Sequence, residues 1–291
     1  MIRYAALVVA LTACDAVFGL EHVDTPPAAC GPYAEPQPQV FDPALAGVTD
    51  FSFGADTTHG SVEATVAGTT RVALANGTWS LDVADAELAT LQTTRSTGRV
   101  VHDTDIYATT DDAMQLSQYI LSPATHTYGA QTPFVDFDPG FNLEIGNEVT
   151  TIDPVNGPVF RRAVIVKKPT MDGQKPLLTL FQRQAPFNAN TSWIEDRERT
   201  AEILGDADLV DLGKAVLTAD SQALVYAAKY AGDDTFDLYV SAFDKDLGVF
   251  PRGQRIESVS KPDTDETDPS IDPVCGTLSF VRGTEVLIGA M

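Results

Sequence analysis

The carboxylates between Asp263 and Asp268 form the densest group of potential metal ligands in the sequence. Asp263, Asp265 and Asp268 alternate with other residues along one short stretch. Alternating carboxylates on a loop can coordinate Ca²⁺, which prefers oxygen ligands. An EF-hand would also need a central glycine and a glutamate at the twelfth position, and both are absent. The other interpretation is a connecting loop whose aspartates hydrogen-bond the turn backbone, and on that interpretation we expect no metal site.

Residues able to carry catalysis are scattered along the chain. The sequence contains no Gly-x-Ser-x-Gly, His-Glu-x-x-His, Gly-x-Gly-x-x-Gly or P-loop motif. His102 and Asp103 are adjacent and could form a His–carboxylate pair, but no nucleophile accompanies them. Ser258 and Lys261 match Ser-x-x-Lys formally, without the opening helix and downstream motifs that this chemistry requires. The sequence therefore predicts no catalytic residue and no cofactor.

The first residues have the features of a signal peptide. Arg3 supplies a positive charge, and Ala5 to Leu11 form an apolar run too short to cross a membrane. The run ends in Leu11-Thr12-Ala13-Cys14, which resembles the lipobox of bacterial lipoproteins. The resemblance implies cleavage before Cys14 and a diacylglycerol thioether on its sulfur, with further acyl chains making the anchor stable. The alternative is an ordinary secretory signal with a chance cysteine.

With Cys14 assigned to the lipid, Cys30 and Cys275 remain. An exported protein reaches a compartment where disulfides form, so these two can make a single intramolecular bond. Such a bond would join the start of the folded body to its last strands. The alternative is two unpaired structural cysteines. A metal site is not expected, because no histidine lies near either cysteine at metal-ligand spacing.

The composition is acidic: 41 Asp and Glu face 19 Lys and Arg, which gives a net charge of −22. A surface of this sign repels phosphates and anionic headgroups, so nucleic acid is not expected as a partner. The simplest interpretation of the charge is solubility outside the cytoplasm.

The sequence of the body, residues 41–291, predicts strands separated by clusters of Gly, Pro, Asn and Asp. Apolar or alternating runs such as Ala163 to Val166 and Leu177 to Phe181 recur, whereas helical periodicity is limited to Asp82 to Gln92 and Ser192 to Leu204. Before the body, residues 14–40 are rich in proline and predict an extended spacer.

Internal repetition is the most informative feature of the body. Leu217 to Tyr226 aligns without gaps on Ile271 to Phe280. Thr235 to Ser241 follows the first copy, and Thr104 to Thr109 is an earlier echo of that strand. Thr170 to Gly173 is a looser copy of the turn.

These segments resemble the WD-like β-propeller repeats of the periplasmic Tol-system propeller and of many bacterial lipoproteins. The matching residues are Asp268, Pro269, Ser270, Pro273, Gly276, Leu278 and Phe280 in the first half of the repeat, and Asp237, Leu238 and Tyr239 in the second. The resemblance covers 205–285 well and 41–204 only in part. It implies that each repeat is one four-stranded blade.

The expected fold is therefore all-β: residues 1–13 as signal peptide, 14–40 as lipidated tether and 41–291 as a β-propeller of five to six blades. An N-terminal strand that completes the last blade would agree with a bond between Cys30 and Cys275. The alternative architecture is a pair of β-sandwiches.

The function favoured by these features is a non-enzymatic, lipid-anchored protein of the bacterial cell envelope that binds a protein, peptide or glycan through the propeller. The alternative is an envelope hydrolase with acidic residues around a central channel. The side chains that line the channel should separate the two. Convergent carboxylates or a His–Asp pair with perturbed pKa would favour the enzyme, and a broad apolar or aromatic patch on one face would favour the binder.

Overall fold

A computed structural model describes residues 30–41, 43, 46–53, 59–66, 69–76, 98–102, 105–109, 116–119, 121–122, 127–128, 132–135, 141–152, 159–171, 174–184, 193–196, 200–201, 206–272 and 275–291. For the strands between residues 54 and 140, it describes the backbone and not the side chains. Strands dominate these residues, as the alternating apolar runs and frequent turn residues predict. No helix among them is long and apolar enough to cross a membrane.

The strands are numbered in chain order. They are β1 (Gln37–Pro38), β2 (Ala46–Phe53), β3 (His59–Val66), β4 (Thr69–Asn76), β5 (Gly98–His102), β6 (Asp105–Thr109), β7 (Leu116–Tyr119), β8 (Leu121–Ser122), β9 (Thr127–Tyr128), β10 (Thr132–Val135), β11 (Phe141–Ile152), β12 (Val159–Pro169), β13 (Leu177–Gln184), β14 (Ile194–Glu195), β15 (Thr200–Ala201), β16 (Leu209–Leu217), β17 (Ala223–Tyr230), β18 (Asp237–Ala242), β19 (Val249–Phe250), β20 (Gln254–Arg255), β21 (Glu266–Ile271), β22 (Thr277–Arg282) and β23 (Glu285–Ala290).

Five antiparallel sheets of three or four strands make up the described body, and we call them blades 1 to 5. Their strand orders are β2-β3-β4, β5-β6-β7-β10, β11-β12-β13-β14, β16-β17-β18-β20 and β21-β22-β23-β1. Two small ladders, β8-β9 and β15-β19, lie outside the blades. Consecutive strands pair with each other in every blade, as expected where short turns join them.

The first strand of each blade is its inner strand, because these strands contact one another around a common axis. The inner strand β11 contacts both β5 and β16, and β21 contacts both β16 and β2. The last blade therefore meets the first, and the blades close a ring. This is the β-propeller that the repeats predict, with five blades among the described residues.

The N-terminal segment completes blade 5. Gln37 pairs with Ile288 and Pro38 with Leu287, so β1 is the outer strand beside β23. Cys30 and Cys275 are joined by a disulfide, with Cα atoms 5.1 Å apart. Tyr33 is buried beside this bond, and its hydroxyl donates to the Cys275 carbonyl oxygen over 3.2 Å. The expected bond and the expected closing strand thus occur together.

The part of the predicted tether that follows Cys30 packs against the propeller. Cys30, Tyr33 and Pro36 are buried against blade 5, as is compatible with the expectation of a closing N-terminal strand. Residues 30–38 therefore belong with blade 5, whose outer strand they supply. Residues 1–29, with the predicted signal peptide and Cys14, lie outside the described residues.

Apolar side chains pack between neighbouring blades. One cluster joins blades 3 and 4 through residues such as Val164, Leu180 and Tyr226. Another joins blades 4 and 5 through residues such as Val225, Leu278 and Phe280, and it includes both disulfide cysteines. Since strand side chains alternate between the two faces of a sheet, β17 supplies Tyr226 to one cluster and Val225 to the other.

The gapless repeat in the sequence corresponds to equivalent turns in blades 4 and 5. Thr218 N donates to Ala223 O, and at the same repeat position Asp272 N donates to Thr277 O. Leu217 pairs with Leu224 just as Ile271 pairs with Leu278. Ser221 and Cys275 occupy the same left-handed position, with φ of 56° and 59°. The two copies therefore share backbone conformation as well as sequence.

Three weaker sequence interpretations were wrong. The echo at residues 104–109 contains β6, a second strand, whereas β18 in the first copy is a third strand. The turn at residues 170–173 follows a second strand, whereas the repeated turn follows an inner strand. The helix proposed for residues 192–204 contains the short strands β14 and β15 instead. The other helix candidate, at 82–92, lies outside the described residues.

Candidate functional site

All five inner strands carry a bulge at which pairing with the second strand is interrupted. These interruptions lie between Ala46 and Asp50, Val100 and His102, Ile145 and Glu148, Leu212 and Ala215, and Thr267 and Ser270. A bulge takes residues out of the ladder and re-aims their side chains. In blades 3, 4 and 5 the residues at these bulges include Asn147, Lys214 and Asp268, and each contacts the inner strand of a neighbouring blade.

Asn147 bonds the inner strands of blades 3 and 4 together. Its side-chain amide donates to Leu217 O over 2.7 Å, and Leu217 N donates to its amide oxygen over 2.8 Å. The preceding residue must be glycine, because a Cβ at Gly146 would lie 1.5 Å from Ala215 O. Gly146 therefore allows the two backbones to approach closely, and Asn147 provides hydrogen-bond partners for the backbone N–H and C=O of Leu217.

Lys214 lies at the centre of an ion-pair chain that spans three blades. Its Nζ is 2.8 Å from Asp268 Oδ1 on β21 and 3.5 Å from Glu144 Oε1 on β11. Glu144 Oε2 is also 2.7 Å from Lys168 Nζ on β12. Only 2% of the Lys214 side chain is exposed. We call these four residues the axial ion-pair chain.

The geometry of this chain indicates its chemical role. Two ammonium groups and two carboxylates balance in charge, and an ammonium held between carboxylates offers no lone pair to act as base or nucleophile. Removing one member of a buried ion pair leaves an uncompensated charge, which is strongly destabilising. The axial ion-pair chain therefore joins blades 3, 4 and 5.

A second polar network lies between blades 4 and 5 where β21 begins. Glu266 is fully buried, and its Oε1 accepts from Arg282 Nε over 2.8 Å. Its Oε2 has no hydrogen-bond partner within the described residues. Burial raises the pKa of Glu266, and the neighbouring Arg282 opposes that rise. Nearby, Asp237 accepts from Arg255 over 2.8 Å.

Three tyrosines of blade 4 form a buried group facing blade 3. The hydroxyls of Tyr226 and Tyr230 are 3.0 Å apart, and Tyr239 stacks on Tyr226 with centroids 5.6 Å apart. Burial raises the pKa of all three. Arg252 lies 3.9 Å from the ring centroid of Tyr230. With neutral phenols and an internal hydrogen bond, this group packs two blades together.

The residues of the calcium candidate do not converge. Asp265 accepts a hydrogen bond from Phe236 N over 2.8 Å, and Asp268 pairs with Lys214. Asp263 is exposed, with a positive φ of 63°. No group of three or more His, Cys, Asp or Glu within the described part of the chain could hold a metal ion. Asp265 thus bonds the backbone of the neighbouring blade, and Asp268 pairs with a lysine of that blade.

Among the catalytic candidates, the structure describes the side chains of Ser258 and Lys261 only. Ser258 and Lys261 lie in the connection between β20 and β21, where Lys261 N donates to Glu266 Oε1. His102 ends β5, and Asp103 lies outside the described residues. Cys14 also lies outside them, and the assignment of its lipid stays a prediction.

Sequence reasoning missed Glu144, Asn147 and Lys214, although a signal for two of them was present. An isolated glycine within a strand pattern indicates a bulge or a close backbone approach. Gly146-Asn147 and Gly213-Lys214 each place a polar residue directly after such a glycine. Both dipeptides lie at a bulge of an inner strand.

No protein-family model matches the chain, and no curated protein matches it. Among solved structures, it is similar to the C-terminal WD40 domain of Sif2, with 11% identity and a TM-score of 0.40 over 87% of this chain and 84% of that one. It is also similar to the β-propeller domain of the Trilobed protease from Pyrococcus furiosus, with 9% identity and a TM-score of 0.39 over 84% and 81%. The Dos1 propeller matches at 9% identity and a TM-score of 0.38 over 84% and 77%. The fold assignment above rests on the sheets and their contacts.

Proposed function

We propose that this protein is a lipid-anchored propeller of the bacterial cell envelope that binds a protein, peptide or glycan without catalysing a reaction. The observation that carries the proposal is the axial ion-pair chain, in which Glu144 and Asp268 hold Lys214. A hydrolase acting in the central channel would need carboxylates directed at a substrate. Glu144 and Asp268, on the inner strands of blades 3 and 5, are instead directed at a lysine of blade 4.

The disulfide supports the anchoring part of the proposal. The lipobox assigns the lipid to Cys14, and Cys30 fixes the chain to blade 5 sixteen residues later. A ring secured covalently near its tether suits a protein that is held at a surface while it engages a partner. The acidic charge of −22 fits a protein that does not adhere to phosphates or anionic headgroups.

Anchoring is tested by following lipid and membrane together. Cells that express the full chain or Cys14→Ala receive an alkyne fatty acid, and envelopes are fractionated after labelling. We expect the full chain to incorporate label and to sediment with membranes, and Cys14→Ala to lose both properties. Label or membrane association that persists in Cys14→Ala contradicts the lipid assignment.

Binding is tested by capture of the intact lipoprotein from its own envelopes after mild cross-linking, with quantitative mass spectrometry of the recovered material. We expect one stoichiometric protein or glycan partner. Substrate screens with the purified lipoprotein provide the counter-test. Turnover of a hydrolase substrate that is lost in Glu144→Gln or Asp268→Asn, with no partner recovered, contradicts the proposal.

A further inference from the structure

The inner strands run in the same direction along the axis, and this gives the ring two distinct faces. From Glu144 to Asn147, successive positions of β11 contact successive positions of β16, from Lys214 to Leu217. Near the ends of β2 and β21, Phe53 N donates to Ser270 Oγ over 2.9 Å. We call the face where inner strands begin the upper face, and the face where they end the lower face.

The N-terminal segment joins the ring at the lower face. Cys275 lies in the turn after β21, where an inner strand ends, and it holds Cys30 there. Ala34 N donates to Ala290 O over 2.7 Å at the same end of blade 5. The chain then follows β23 towards the upper face, where Gln39 N donates to Val286 O over 2.9 Å. The described chain therefore begins at the lower face, at Cys30.

We propose that the ring is held with its lower face towards the membrane, which leaves the upper face presented to partners. The proposal rests on the lipid at Cys14 in the proposed function. Cys30 lies sixteen positions after Cys14, so a fully extended tether reaches about 55 Å. A tether that starts at the lower face must pass around the ring before the upper face can contact lipid, so the lower face is closer to the bilayer on average.

The three native cysteines provide a clean way to test this orientation. Cys30 and Cys275 are bonded to each other, and Cys14 carries the lipid in the proposal, so one introduced cysteine is the only free thiol. Asp234 and Lys245 are exposed residues beyond opposite ends of β18. Strand β18 alone separates them by about 20 Å along the axis. Asp234→Cys reports on the upper face and Lys245→Cys on the lower face.

Each lipidated variant is labelled with a donor fluorophore and reconstituted into phosphatidylcholine vesicles that contain an acceptor-labelled lipid. We expect a larger loss of donor fluorescence for Lys245→Cys than for Asp234→Cys. Thr284→Cys, in the exposed turn between β22 and β23, provides a second probe of the upper face and should behave like Asp234→Cys.

Flotation of the same vesicles separates the two proposals. Protein that floats but shows equal or reversed fluorescence losses overturns the orientation and leaves the anchor intact. Protein that does not float contradicts the anchor and, with it, the orientation. A thiol count of one for each variant before labelling confirms that the Cys30–Cys275 bond is present.

Discussion

Lys214 shows how a single buried charge can hold three blades of the propeller together. It lies on the inner strand of blade 4, and its two carboxylate partners come from blades 3 and 5. The desolvation of an ammonium is costly, and it is offset here by two opposite charges at close range. The side chain therefore depends on all three blades being in place.

Replacing Lys214 by methionine should destabilise the protein by about 3–5 kcal/mol, because Glu144 and Asp268 are left without their shared cation. The free energy of unfolding from urea titration measures the loss. Lys245→Met is the matched control at an exposed position and should change stability by less than about 0.5 kcal/mol. Equal stability of the two variants contradicts the assembly role of the axial ion-pair chain.

Gly146 is a position where no other residue fits. Gly146→Ala places a methyl group against Ala215 O, so β11 and β16 must separate and the two Asn147 hydrogen bonds must lengthen. We expect a loss of at least about 3 kcal/mol in the free energy of unfolding, at the upper end of overpacking effects. Gly289→Ala, whose Cβ would lie 3.3 Å from its nearest neighbours, is the milder comparison. A smaller loss for Gly146→Ala than for Gly289→Ala would contradict the close approach.

Glu266 should make stability depend on pH. Burial raises its folded-state pKa above the ordinary value of 4.5, so the folded protein binds this proton more tightly than the unfolded chain does. The contribution of Glu266 to stability is therefore fully present below pH 4.5 and falls as pH rises through the folded pKa. Glu266→Gln should gain stability relative to the parent protein between pH 4 and pH 7, as measured by urea titration at each pH. Glu285→Gln, at an exposed position, should show no such trend, and a flat difference for Glu266→Gln contradicts the assignment.

At the scale of elements, the closing blade depends on a short strand and a long covalent loop. Strand β1 pairs with β23 at only two residues, whereas the disulfide joins positions 245 residues apart. In the chain-entropy account, a loop of that size contributes up to about 5 kcal/mol by restricting the unfolded chain. The bond therefore supplies much of the stability of the closure.

Cys275→Ser tests this closure without disturbing the turn, because Ser221 occupies the equivalent left-handed position in blade 4. We expect the variant to fold with a melting temperature well below that of the parent protein. Treatment with a reducing agent should lower the melting temperature of the parent protein and leave that of Cys275→Ser unchanged. An equal melting temperature for the two oxidised proteins contradicts a stabilising role for the bond.

The elements of blades 4 and 5 could be predicted because their repeat carries its own turn chemistry. Thr218 and Asp272 begin equivalent turns, and the apolar residues that follow alternate between neighbouring blades. The similarity between residues 104–109 and 235–241 gave a wrong prediction, because similar short strands recur at different positions within a blade, as β6 and β18 do. Short-range similarity identifies a strand but not its place in the sheet.

The axial ion-pair chain could not be predicted, because its members are far apart in the sequence. Glu144, Lys214 and Asp268 meet only when three bulged inner strands pack around the axis. Of the three, the sequence singled out Asp268 alone, as a residue of the WD-like repeat and as a calcium candidate. The closing disulfide could be predicted from the sequence, because Cys30 and Cys275, the two cysteines left once Cys14 is assigned to the lipid, allow only one intramolecular pairing.

For the molecule as a whole, ring closure and the proposed tether involve the same segment. Residues 30–38 complete blade 5, and Cys30 lies at the lower face of the ring. The lipid anchor that we propose at Cys14 lies sixteen positions before Cys30. The proposed orientation of the ring follows from these two positions.

Peptide mapping, without reduction, of the mature protein extracted from envelopes tests the proposed anchor and the closed ring together. We expect an N-terminal peptide that begins at Cys14 and carries acyl chains, together with a cross-linked pair of peptides that contain Cys30 and Cys275. A mature N-terminus at another residue, an unmodified Cys14, or Cys30 and Cys275 in separate free-thiol peptides would contradict this expectation.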